Sequence, residues 1–180
     1  MIRAHAIRLA LRLARWAAVW QWEGRGRPEG AKRDLRTAWR DVQTIRAAGL
    51  FDGEWYAKQY LAGTRYLEIP LWHYVLWGRE EGLNPHPLFA AAWYLQQNPD
   101  VAAAGLNPLA HYLRRGAAEG RDPHPLFAGS WYLKQNPDVA ALGWNPLIHY
   151  LRRGGREGRD PHPLFETSYF LQKIWESRTP

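Results

Sequence analysis

The chain has 180 residues, 46% of them hydrophobic and eleven of them Trp, which excludes a disordered polar chain. It has no Cys, so disulfides, a thiol nucleophile and Cys-ligated zinc or iron–sulfur sites are excluded, and a reducing compartment is compatible. The net charge of +7 lies in residues 1–49, which hold 11 Lys/Arg against 4 Asp/Glu, whereas residues 50–180 hold 13 of each. Attraction to phosphate, in lipid or nucleic acid, is therefore to be sought in the N-terminal quarter.

Residues 1–22 read as a basic amphipathic helix. His5, Arg8, Arg12 and Arg15 fall within an arc of about 80° at helical spacing, with Leu, Ile, Val, Ala and Trp over most of the rest. Arg interrupts the apolar run too often for a spanning helix, and no small-residue cleavage site follows as in a secretory signal. Arg8, Arg12 and Arg15, with Trp16, Trp20 and Trp22, are the expected membrane- or partner-binding residues. Packing against the first repeat or a partner chain, seating on an anionic membrane surface, and a removed targeting segment all share this pattern. Residues 23–30 (EGRGRPEG) form a polar linker, and 31–49 a helix with Leu35, Trp39, Val42 and Ile45/Ala48 at core spacing.

The remainder, 50–180, is repetitive. Pro-His-Pro-Leu-Phe occurs at Pro85–Phe89, Pro123–Phe127 and Pro161–Phe165, and His-Tyr at 73–74, 111–112 and 149–150, each 38 residues apart. Units 85–122 and 123–160 are identical at 30 of 38 positions; the copy at about 47–84 has drifted, and 161–180 is partial. Fixed-period self-similarity of this length signals stacked units with atypical ends. In 85–122, Pro85-His86-Pro87 breaks the chain and a helix is expected over Ala90–Gln97. Asn98 is expected to cap a minor helix over Asp100–Ala104, with Gly105 as its stop. Asn107-Pro108 starts a third helix over Leu109–Arg115, and Gly116 ends it. No strand-like alternation appears, so the fold class is all-α, a short solenoid-like array of helical repeats with an N-terminal amphipathic helix. The expected core is Phe89, Trp93, Tyr94, Leu109, Tyr112 and Leu113, repeated as Phe127, Trp131, Tyr132, Leu147, Tyr150 and Leu151, with Leu88 and Val101 beside them.

No catalytic residue is indicated. The serines, Ser130, Ser168 and Ser177, stand in no nucleophile elbow, no two carboxylates are paired by the pattern, and no phosphate-cradling loop matches. Glu119, Asp122 and His124 recur as Glu157, Asp160 and His162 and could form a hard-cation site, but a turn hydrogen-bonded to backbone is preferred, so no metal and no cofactor is expected. The aromatic set could stack sugars or bases; core packing is preferred at this spacing. Arg114, Arg115 and Arg121 could meet phosphates, yet the neutral charge of 50–180 argues against nucleic acid.

The wording Leu-Phe-x-x-x-Trp-Tyr-Leu, Asn-Pro-Asp-Val-Ala, Asn-Pro-Leu-x-His-Tyr-Leu and Glu-Gly-Arg-Asp-Pro-x-Pro-Leu-Phe, over about 46–175, resembles a module found in tandem beside catalytic domains in bacterial glycosyltransferases and other cell-surface polysaccharide proteins. There it often follows a helix ending like Arg46–Asp52. No nucleotide-sugar site follows in this chain, so the resemblance implies association with envelope polysaccharide work and no activity. The expectation is a non-catalytic interaction or scaffold module in the bacterial cytoplasm, peripheral at the inner face of the membrane. Its partner is a protein, a larger assembly or an anionic membrane surface. The alternatives are a structural subunit with residues 1–22 buried between chains, and the non-catalytic part of a split glycosyltransferase.

Overall fold

The computed structural model describes residues 35–64 and 66–176, with side-chain environments through residue 172. The expectations for 1–22 and 23–30 lie outside the described residues. The described residues belong to one compact unit, and all their regular structure is helical. Helix α1 (Leu35–Ala48) comes first, and the repeats follow. The first holds α2 (Gly53–Tyr56) and α3 (Pro70–His73); the second α4 (Ala91–Gln97), α5 (Pro99–Ala103) and α6 (Pro108–His111). The third holds α7 (Gly129–Gln135), α8 (Pro137–Ala141) and α9 (Pro146–His149), and the partial fourth α10 (Thr167–Glu176).

The breaks follow local chemistry. In Pro-His-Pro-Leu-Phe, Phe89 N–H donates to the His86 carbonyl (3.0 Å) and Leu88 N–H to His86 Nδ1 (3.0 Å), forming a turn that Pro85 and Pro87 keep out of any helix. Asn107 Oδ1 accepts from Ala110 N–H (3.0 Å), a side-chain cap with Pro108 at the first helical position. Gly105, at φ +66°, lets Leu106 N–H reach the Val101 carbonyl (3.2 Å) and closes α5.

Two breaks differ from the expectation. Asn98 does not cap α5: its Nδ2 donates to the Tyr94 carbonyl (2.7 Å), binding the minor helix back onto α4. Gly116 does not end the third helix. After His111 the backbone widens into a π-helical turn, Tyr112–Gly116, in which Ala117 N–H reaches the Tyr112 carbonyl (3.0 Å). The left-handed stop is Gly120, at φ +74°, with Arg121 N–H on the Gly116 carbonyl (2.8 Å). The third unit repeats this through Tyr150–Gly154 and Gly158.

Units are joined in register. Asp52, Ala90 and Ala128 each donate a backbone N–H to the proline carbonyl that opens the next copy, Pro85, Pro123 and Pro161, at 3.2, 3.0 and 3.0 Å. Arg79 of the first unit donates to the Ala102 carbonyl of the second (3.0 Å). The buried Tyr112 ring of the second unit brings its hydroxyl against Asn145 and Leu147 of the third.

Helix α1 packs across the second helices, against the π turn Tyr74–Gly78, α6 and the π turn Tyr112–Gly116. Its buried stripe is Ala38, Asp41, Val42 and Ile45, so the expected phase through Leu35 and Trp39 is corrected: Leu35 is exposed and Trp39 is 38% exposed. The smaller Ala38 and Asp41 let α1 approach closely, while Trp39 rests on Trp72 at the rim, ring centroids 5.8 Å apart.

Candidate functional site

Each complete unit is organised around three rings and one imidazole. In the second unit Phe89 and Tyr94 lie 5.4 Å apart, and Tyr112 meets them edge-on at 5.6 and 6.0 Å. The Tyr94 hydroxyl and His111 Nδ1 share a hydrogen bond of 2.9 Å. Tyr56–His73 and Tyr132–His149 repeat that bond at 2.9 and 2.7 Å. Burial raises the tyrosines above their ordinary range, Tyr132 to about 12, and lowers the histidines; around His111 and His149 the Arg121 and Arg159 guanidinium groups add to the lowering. The resting pair is thus a neutral phenol hydrogen-bonded to a neutral imidazole.

The π turn serves this pair. A Cβ at Gly116 would fall on the Tyr94 hydroxyl, and one at Gly154 on the Tyr132 hydroxyl. Glycine is needed there for close approach and not for its backbone freedom, since neither position has a positive φ.

The second polar cluster is an arginine clamp. Arg121 Nη1 and Nη2 grip the Asp100 carboxylate at 2.8 and 2.9 Å, Nη1 also donates to Asn98 Oδ1 (2.9 Å), and Nε to Glu119 (2.7 Å). Arg159, Asn136, Asp138 and Glu157 reproduce it. The clamp's arginine holds Asp138 down at about 2 and Asp100 below its ordinary value. Asp122 Oδ1 accepts from Gly129 N–H (2.7 Å) and His124 Nδ1 from Leu126 N–H (3.1 Å). The groups weighed as a cation site thus bond to backbone and to arginine. Among the described residues no three His, Asp or Glu converge on a metal position.

Of the expected core residues, Phe89, Tyr94, Leu109, Tyr112, Phe127, Tyr132 and Leu147 are buried, as is Val101. Trp93, Leu113, Trp131, Tyr150, Leu151 and Leu88 are half-buried. Arg8, Arg12, Arg15, Trp16, Trp20 and Trp22 lie outside the described residues.

Three features were not anticipated. Asp41 is a buried carboxylate on α1, 2.7 Å from Arg114 of the second unit, whose Nε and Nη2 also reach Thr44 Oγ1. The signal was an acid inside an apolar stripe. An open depression beside this pair is lined by Trp39, Arg40, Gln43, Thr44 and Arg114. Arg153 lies over the exposed Trp144 ring at 5.3 Å. Among the described residues no helix is long and apolar enough to cross a membrane.

Comparison with protein-family models, with curated proteins and with solved structures finds no match for this chain.

Proposed function

We propose that this chain is a non-catalytic interaction and scaffold module, tethered to an anionic membrane face through residues 1–22 and accessory to bacterial envelope polysaccharide work. The observation that carries the reading is how the repeats use their polar side chains. The tyrosine–histidine pairs, turn histidines and arginine clamps, the groups best suited to acid–base chemistry, bond to one another or to backbone. A unit so committed holds its tyrosine hydroxyls inside and ties its exposed clamp carboxylates to arginine. The tether rests on the charge division, with the whole net charge of +7 in residues 1–49. The polysaccharide setting rests on the wording of the repeat.

Flotation with anionic liposomes tests the tether. The full chain is expected to float and a chain lacking residues 1–22 to remain at the bottom, with the difference shrinking as salt rises. Equal flotation of both would eliminate it.

A further inference from the structure

Helix α1 buries one face and leaves a cationic one outside. Ala38, Asp41, Val42 and Ile45 form the buried stripe that packs on the second helices. On the opposite side Arg36, Arg40, Gln43 and Ala47 fall within an arc of about 60° at helical spacing, and all four are exposed. Arg46 is exposed at one edge of that arc, the edge that also carries the Trp39 ring. Arg114, its side chain 41% exposed, reaches Thr44 at the other edge. The helix has one carboxylate, Asp41, which is 3% exposed and bound to Arg114. Arg40 and Arg46 have no acidic partner among the described residues. The open depression on this face, walled by Trp39, Arg40, Gln43, Thr44 and Arg114, offers two guanidinium groups, an amide and a hydroxyl, and no acid.

We infer that the outer face of α1 is a second membrane contact: it seats on the anionic headgroups of the bilayer that residues 1–22 hold, and so fixes the orientation of the array. The inference rests on the tether proposed above. Charge selects the occupant. Residues 1–34 hold eight Lys/Arg against three Asp/Glu, so this face repels them. A second copy fares no better, since residues 50–180 are balanced at 13 of each sign and the clamp acids Asp100 and Asp138 are already held by Arg121 and Arg159. A bilayer surface presents many phosphates at once to the exposed arginines, and an indole such as Trp39 is at home at headgroup level. A nucleic-acid strand fits less well, because the face is the outside of one helix and has no groove to follow a backbone. Three exposed arginines are too few to hold a chain on a membrane alone, so the face acts once the tether is in place.

The chain has no Cys, so single positions of the full chain can be spin-labelled. Gln43→Cys marks the outer face of α1, and Gln96→Cys, exposed on α4, serves as reference. On vesicles of phosphatidylglycerol and phosphatidylcholine the label at 43 is expected to be shielded from a water-soluble relaxant, while the label at 96 stays as accessible as in solution. On phosphatidylcholine alone neither is expected to change. Arg40→Gln together with Arg46→Gln is expected to weaken partition onto the anionic vesicles about 25-fold, at about fivefold per cation. Arg115→Gln together with Arg156→Gln removes the same charge from exposed positions in the repeats and is expected to weaken it about twofold at most. Circular dichroism checks that each variant stays folded. A label at 43 that remains in water on a chain that floats overturns the inference and leaves the tether standing, whereas a chain that does not float removes both. Equal losses from the two arginine pairs also overturn it, since net charge alone would then account for binding. Shielding at 43 by a single-stranded RNA but not by vesicles overturns it and assigns the face to nucleic acid.

Discussion

Gly116→Ala separates local propensity from packing, because the two give opposite signs. Gly116 sits in a helical turn without a positive φ, and on propensity alone alanine there would stabilise by about 0.5–1 kcal/mol. Packing says otherwise. The new Cβ would land on the Tyr94 hydroxyl, in a ring that is 0% exposed and held between Phe89 and Tyr112. The ring has to withdraw, which costs about 1–3 kcal/mol of overpacking, and the His111 bond is lost with the Tyr94 hydroxyl still buried, about 1–3 kcal/mol more. Net of propensity, destabilisation of about 3 kcal/mol is expected, read by urea unfolding followed by circular dichroism. Tyr94→Phe supplies the control. Without the hydroxyl the nearest atoms to the added Cβ are Tyr94 Cζ and His111 Nδ1, both at 3.4 Å, which is ordinary contact. Gly116→Ala in the Tyr94→Phe background is therefore expected to be nearly neutral, a coupling of about 2 kcal/mol or more in the double-mutant cycle. A neutral or stabilising Gly116→Ala, or additive costs, would refute the account of the π turn. Gly155→Ala, where the second unit already carries Ala117, is expected to stabilise slightly.

Acidification is expected to weaken the fold in two stages. His73, His86, His111, His124 and His149 are lowered in the native state, chiefly by burial, so below the unfolded value of about 6.5 the unfolded chain takes up protons first and stability falls. Asp100 and Asp138 are lowered by their arginines, so their contribution is lost as pH falls below about 4, while half-buried Asp122, raised, opposes this. Melting temperatures flat from pH 8 to 4 would contradict the neutral buried imidazoles. Arg121→Gln is expected to cost about 1–2 kcal/mol, largely retained at 1 M salt because Asn98 is buried; complete loss of the effect in salt would reduce the clamp to a surface ion pair. Arg114→Ala is expected to cost about 1–2 kcal/mol by removing an ion-pair partner of buried Asp41; thermal unfolding checks it, and an unchanged melting temperature would refute the role of the pair.

What the sequence made legible is what local rules control. The 38-residue period, the proline breaks, Gly105 as a stop and Asn107 as a cap depend on residues within one turn of each other, and the all-α class follows from them. Long-range partners were not legible. The phase of α1 shifted because Leu35 and Trp39 satisfy helical spacing as well as Ala38 and Asp41 do; the ion pair of buried Asp41 with Arg114, far along the chain, is not visible in the local pattern. Asn98 followed by proline reads as a cap, and its capture by Arg121 depends on the far end of the unit. Gly116 reads as a stop because a glycine required by a distant hydroxyl and one required by a positive φ look alike in sequence.

The drifted first unit supplies an internal comparison. At the positions of Asn98, Asp100 and Arg121 it has Tyr60, Ala62 and Leu83; three of the clamp's four members are missing together, and Glu81 keeps the place of Glu119. Its Tyr56–His73 bond and its three-ring cluster are intact. Tyr60 takes over the vacated space, edge-on to Tyr56 at 5.0 Å and with its hydroxyl 3.4 Å from the Asn84 N–H. A buried asparagine oxygen without the arginine, or the arginine without its acids, would each leave a polar group unmet, so the parts are lost as one. The ring cluster persists through the same drift because it closes every complete unit. The clamp is a local reinforcement of the minor helix, for which an aromatic ring can substitute. This ordering predicts that a first unit given Asn at 60, Asp at 62 and Arg at 83 together gains stability, whereas Tyr60→Asn alone loses it. A single exchange that stabilised the chain would show that the clamp is not a unit.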